Sequence, residues 1–166
     1  MKKLLFLLCL LSWSALNAQK TINRPPFIAK ATETIEIAAV HLSDTATVID
    51  VDAKFTPKYW IRIAPATCLV ADNGERYQVR QGVGIELGQE FWMPESGEAT
   101  FSLIFPPLPP SVKSFDFVEG EGERDFNLFG ISLTRKLPKL QLPKGLEKAG
   151  KMTAVALPTP EIKEGT

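Results

Sequence analysis

Two cysteines and one histidine are all that 166 residues offer of the side chains most used for metal binding and nucleophilic chemistry. Cys9 lies in the apolar start of the chain, which leaves one thiol, Cys68, in its body. A single thiol makes no internal disulfide and no Cys-x-x-Cys pair, so this chain alone cannot run dithiol chemistry. His41 has no second histidine with which to build a zinc site, and no Gly-x-Ser-x-Gly elbow marks a nucleophile for it to activate. Net charge is missing as well. Nineteen Lys/Arg balance nineteen Asp/Glu, which gives no argument for nucleic acid or an acidic membrane surface as partner. There is no strong amphipathic helix and no internal repeat. Gly82-x-Gly84 is followed by neither an apolar helix nor a Lys-Ser/Thr pair, so it is no phosphate loop.

The chain does have a basic, apolar and small-residue order at its start. Lys2 and Lys3 precede Leu4–Leu11, and Ala15–Ala18 offer a cleavage site before Gln19. Residues 1–18 therefore read as a signal peptide, too short in its apolar run to span a bilayer, with a retained anchor as the alternative. Leu8 before Cys9 speaks against a lipoprotein signal. The mature chain is expected to be periplasmic or secreted, with no membrane span after cleavage. Its charge is uneven: residues 19–134 hold 10 basic and 16 acidic residues, and residues 135–166 hold 7 and 3.

The body is organised around Phe91–Gly120. Phe101, Leu103 and Phe105 alternate with Thr100, Ser102 and Ile104, and Phe115 and Phe117 repeat that period-2 pattern. The pattern buries the phenylalanines and leaves Ser102 facing water. Pro106, Pro107, Pro109 and Pro110 stand between the two strands, where proline donates no ladder bond and forces an extended crossing from one sheet to another.

Further strands are read at Thr34–Leu42, with a bulge near Ala38 and Ala39, and at Thr47–Phe55, with Ile49, Val51, Ala53 and Phe55 inward. Tyr59–Ile63 places Tyr59, Ile61 and Ile63 inward, with Trp60 and Arg62 on the other face. Asn73-Gly74 predicts a type I′ hairpin within Cys68–Val79. Gln81–Leu87 reads as an edge strand or bend. Phe126–Thr134 is the last strand, with Phe129, Ile131 and Leu133 inward. About eight short strands with frequent turn signals indicate an all-β antiparallel sandwich over residues 33–134. Residues 19–32 read as a lead in which Pro25 and Pro26 prevent regular structure and Phe27 and Ile28 tuck against the sandwich. Residues 135–166, with four prolines, read as a basic linker or tail.

Few side chains stand out as sites. Cys68 reads as a packed small hydrophobe and His41 as a plain strand residue. Asp50 and Asp52 share a wet strand face, without the cleft that a glycosidase pair needs. Glu119, Glu121, Glu123 and Asp125 form a solvated loop whose spacing matches no EF-hand. No catalytic residue, metal or cofactor is expected. Trp60 and Trp92 fit neither inward face cleanly. They pack beneath the proline corner or, if exposed, anchor a partner.

The strings KFTPKYWIRI, GIELGQEFWMPESGEATFSLIFPPLP and KSFDFVEG, within Lys54–Gly130, resemble an immunoglobulin-like β-sandwich module of exported envelope proteins of Gram-negative gut bacteria. That module often stands ahead of other domains, including thioredoxin-like oxidoreductases. The resemblance implies an immunoglobulin-like sandwich of about 7–9 strands and carries over no catalytic residue. It implies a non-catalytic interaction or spacer module of the envelope, with an envelope protein as partner. The alternative is an accessory domain of a thiol–disulfide system that acts through a separate catalytic domain.

Overall fold

The structure, a computed structural model, describes residues 20–120, 122, 125–134 and 136–137. Strands β1 (Lys20–Asn23), β3 (Ile35–Leu42), β4 (Thr47–Lys54), β8 (Gln81–Val83) and β10 (Glu98–Phe105) form one sheet in the order β1-β3-β4-β10-β8. A second sheet has the order β2-β12-β11-β6-β7, from β2 (Ala29–Lys30), β6 (Cys68–Ala71), β7 (Arg76–Gln78), β11 (Ser114–Val118) and β12 (Asn127–Ser132). A two-stranded ribbon, β5 (Trp60–Ile61) with β9 (Phe91–Trp92), stands apart from both. All pairings are antiparallel, and the described residues contain no helix. The protein is an all-β sandwich.

The alternating residues of β10 and β11 make its core. Phe101, Leu103, Phe105, Phe115 and Phe117 are all buried. Phe105 of one sheet meets Phe117 of the other edge-to-face, with ring centroids 6.4 Å apart. That geometry sets the positive rim of one ring against the negative face of the other. The proline segment crosses between the sheets as read. Its single amide, that of Leu108, is buried and donates to Thr47 Oγ1 at 3.0 Å. The bulge read at Ala38 and Ala39 is present, because the β3–β4 register shifts between Ile37 and Ala39.

Several facings differ from the period-2 reading. The lead is part of the sandwich: β1 and β2 are edge strands of opposite sheets, and Ile22 is buried in the core. Pro25 and Pro26 do not abolish structure there; they are the crossover between those two strands. Phe27 and Ile28 are partly covered, at 39 % and 41 % exposure, with Ile28 lying over Gly130. Phe55 lies past the end of β4 and Tyr59 ahead of β5, both exposed, because Pro57 breaks the strand between them.

In the hairpin, the Ala71 amide donates to Glu75 O and the Gly74 amide to Ala71 O, so three residues form the loop. Gly74 has φ +85° while Asn73 keeps negative φ, which makes a type I turn with a glycine bulge rather than type I′. Strand β12 changes parity at Gly130, φ +65°, whose amide donates to Asp116 Oδ1 at 2.6 Å. This bulge turns Phe129 outward and Leu128 inward. A side chain at Gly130 would also strike Ile28.

Candidate functional site

The ribbon grows out of the β4–β10 ladder. Lys54 faces Glu98, and the Phe55 amide donates to Gly97 O. Pro57 and Pro94 then interrupt two arms of equal length, after which pairing resumes in the same register, Trp60 facing Trp92 and Ile61 facing Phe91. Lys58, at φ +62°, turns the first arm, and its ammonium meets the Glu95 carboxylate of the second arm at 3.0 Å. The Met93 amide donates to Tyr59 O at 2.8 Å. By the antiparallel alternation, Trp60 and Trp92 then occupy a non-hydrogen-bonded pair, the closest cross-strand position.

Alternation also divides the ribbon into two faces. Ile61 and Met93 are buried, and the Phe91 ring lies 6.4 Å from that of Phe101. This inner face holds the ribbon to the core. On the outer face Trp60 is 42 % exposed and its cross-strand partner Trp92 60 %; Tyr59, just ahead of β5, is of the other parity and is exposed as well. Two exposed tryptophans paired on one short ribbon differ from the scattered apolar residues of an ordinary surface. The ribbon lies at the end of the sandwich away from the proline corner, so the packed alternative for the tryptophans is not what the fold adopts.

Glu119 fixes the chain where it leaves the ribbon. Its carboxylate accepts from the Ala64 amide at 2.7 Å and from the Phe126 amide at 2.8 Å, and its own amide donates to Asn127 Oδ1. The side chain is buried, not solvated as the loop composition implied. Burial pushes its pKa above the usual carboxylate range, against the two amide bonds that favour the ionised form. Glu121 and Glu123 lie outside the described residues.

A second polar constellation crosses the outer face of the first sheet. His41 Nε2 donates to Asp50 Oδ2 at 2.7 Å, and Ser102 Oγ donates to Asp50 Oδ1 at 2.7 Å. His41 Nδ1 lies 3.0 Å from Thr21 Oγ1 of the edge strand. His41 thus has partners that its sequence context did not mark, and Ser102 is half-buried and bonded rather than free. The order is serine–aspartate–histidine with the carboxylate in the middle. The Ser102 proton goes to Asp50 and not to an imidazole, so the contact does not make the hydroxyl a nucleophile in the manner of a hydrolase triad. Asp52, on the same face, binds Arg24 at 3.3 Å.

For Asp50, burial raises the pKa, but the bonds from Ser102 and His41 outweigh it and hold the group below its ordinary value of 3.8. A carboxylate depressed on folding stabilises the fold fully above its unfolded pKa and loses that contribution as pH falls through the folded value. Asp50→Asn is therefore expected to flatten the loss of stability below about pH 4, and Ser102→Ala to cost about 0.5–1.5 kcal/mol at neutral pH. Urea midpoints at pH 7 and pH 3 check both; a wild-type acid slope in Asp50→Asn would show that the network does not govern it.

Cys68 is buried at the start of β6 and accepts a bond from the Arg76 guanidinium at 3.1 Å. Among the described residues no three His, Cys, Asp or Glu side chains converge as metal ligands. Compared with protein-family models, curated proteins and solved structures, the chain matches none of them.

Proposed function

We propose that this chain is a non-catalytic interaction module of a bacterial cell envelope, exported to the periplasm or beyond, that holds a protein partner on the Trp60–Trp92 ribbon. The observation that carries this reading is the pair of cross-strand tryptophans, exposed on one face and anchored on the other. Buried aromatics dominate protein interfaces because a rigid ring loses little conformational entropy while removing a large apolar area from water. Export rests on the signal-like residues 1–18, and the envelope setting on the resemblance to an immunoglobulin-like module. A thiol–disulfide role would have to act through a separate oxidoreductase, because Cys68 is buried and stands alone in residues 19–166.

Photo-crosslinking in the native envelope tests this. A photoreactive phenylalanine analogue placed at Trp92 is expected to capture one discrete protein, and Trp60→Ala is expected to abolish that capture. The same analogue at Asp44, on the opposite end of the sandwich, is expected to capture none. Trp60→Ala should cost less stability than Phe105→Ala, since Trp60 is 42 % exposed where Phe105 is fully buried. Equal capture from both ends, or capture indifferent to Trp60→Ala, would remove the ribbon from the proposal.

A further inference from the structure

We infer that the groove beside the proline corner is a binding site for a small amphipathic anion, one with an apolar body and a single anionic head group. The groove has a volume of about 770 Å³, within the roughly 300–1,000 Å³ of small-molecule sites, and lies at the end of the sandwich opposite the ribbon. Its apolar wall is Pro107, Leu108, Pro109 and Pro110, backed by the buried Val112 and Leu133. That wall suits an apolar body because it leaves no amide donor bare. Prolines carry no N–H, and the Leu108 amide is already given to Thr47 Oγ1 at 3.0 Å. Pro109 O accepts from the Val112 amide at 3.0 Å, and Pro110 O from Lys113 Nζ at 2.8 Å. A hydrocarbon laid on this wall takes apolar rings out of water without orphaning these polar groups.

The charge of the groove selects the head group. Lys20 and Lys113 are in its lining, against one acid among the described residues, Asp44. Elsewhere Arg24, Lys30, Lys54 and Lys58 each meet a carboxylate, whereas Lys20 and Lys113 form no ion pair among the described residues. Backbone holds them instead: Lys20 Nζ donates to Leu133 O at 2.8 Å, as Lys113 Nζ does to Pro110 O. An ammonium can donate three hydrogen bonds, and among the described residues each of these makes one, which leaves donors for an anionic head. The carbonyls also fix both charges at the rim before a ligand arrives, which lowers the ordering cost of binding. Beside an apolar wall such charges attract an anion more strongly than in open water. A single-chain carboxylate has the required build. The site is independent of the ribbon and of whatever the ribbon binds.

Titration of the full chain with decanoate, followed by its amide resonances, tests it. Decanoate is expected to shift Leu108, Val112 and Leu133 saturably, with decanol binding about tenfold more weakly and acetate not at all. K20A/K113A is expected to weaken decanoate about tenfold while leaving decanol within about twofold of wild type. Asp44→Asn, a change at an exposed turn residue, removes the opposing charge and is expected to tighten decanoate about twofold. The absence of a saturable shift at these amides overturns the inference. So do equal affinities for decanoate and decanol, decanoate binding indifferent to K20A/K113A, and weaker binding by Asp44→Asn. Phosphatidylglycerol vesicles that shift the same amides would assign the groove to a bilayer surface and overturn the small-ligand site as stated.

Discussion

Phe105→Ala is expected to destabilise the protein by about 3–5 kcal/mol, among the largest effects of any single truncation in it. The ring is completely buried and lies at the junction of the two sheets, edge-on to Phe117. Truncation loses the transfer free energy of the ring and leaves a cavity. The walls cannot close it, because β10 is paired on both sides, to β4 and to β8. Phe101→Ala, a buried residue nearer the ribbon, should cost a similar amount and loosen Phe91, whose ring packs 6.4 Å away. Denaturant melts compare these variants with Ser102→Ala, whose removal leaves no cavity. A Phe105→Ala cost no larger than that of Ser102→Ala would mean that the inter-sheet contact is not where the core stability resides.

Glu119→Ala is expected to cost on the order of 3 kcal/mol, a large effect for a residue in an acidic, glycine-rich loop. Two amide donors, those of Ala64 and Phe126, lose their acceptor together, and each orphaned buried donor costs about 1–3 kcal/mol. Glu119→Gln keeps the shape but offers an NH2 group to one of those donors, so it should recover only part of the loss. The pH dependence runs opposite to that of Asp50. A carboxyl raised on folding adds stability that is fully present below its unfolded value, near 4.5, and is lost as pH rises through the folded value. Wild type should therefore gain on Glu119→Gln as pH falls toward 4.5. The Asp50 contribution changes only below 3.8, so melts across the two windows separate the groups. A wild-type minus Glu119→Gln difference that is flat from pH 8 to 4.5 would contradict the buried placement of this carboxyl.

The ribbon depends on the same fastening. Ala64 follows Ile63 in the arm that carries Trp60, and Glu119 ties that arm to the β11–β12 connection. Loss of Glu119 is thus expected to weaken capture at Trp92 even where the fold survives.

Features that depend on neighbours two residues apart, or on the chemistry of one residue type, are legible in the chain before it folds. Strict alternation in Phe101–Phe105 and Ile49–Ala53 identifies faces that the structure buries, because a pleated strand sends successive side chains to opposite sides. The prolines of 106–110 identify the crossover, because a residue without an N–H cannot extend a ladder. Alternation fails where one residue changes its own count. At Gly130 a left-handed residue shifts the parity of β12, and no composition signal distinguishes that glycine from a loop glycine. Pro57 likewise ends a face before Phe55 and Tyr59 can share it.

Contacts made across distance belong to the folded molecule. Trp60 and Trp92 are legible separately as misfits, but their pairing follows from a ladder that skips two proline-broken arms and keeps its register. The His41–Asp50–Ser102 contacts join three strands, and Glu119 joins two loops 55 residues apart. A carboxylate beside glycines reads as solvated wherever it stands. It becomes a buried fastening only when two backbone amides without ladder partners converge on it, and that convergence is a property of the assembled sheets rather than of any local stretch of chain.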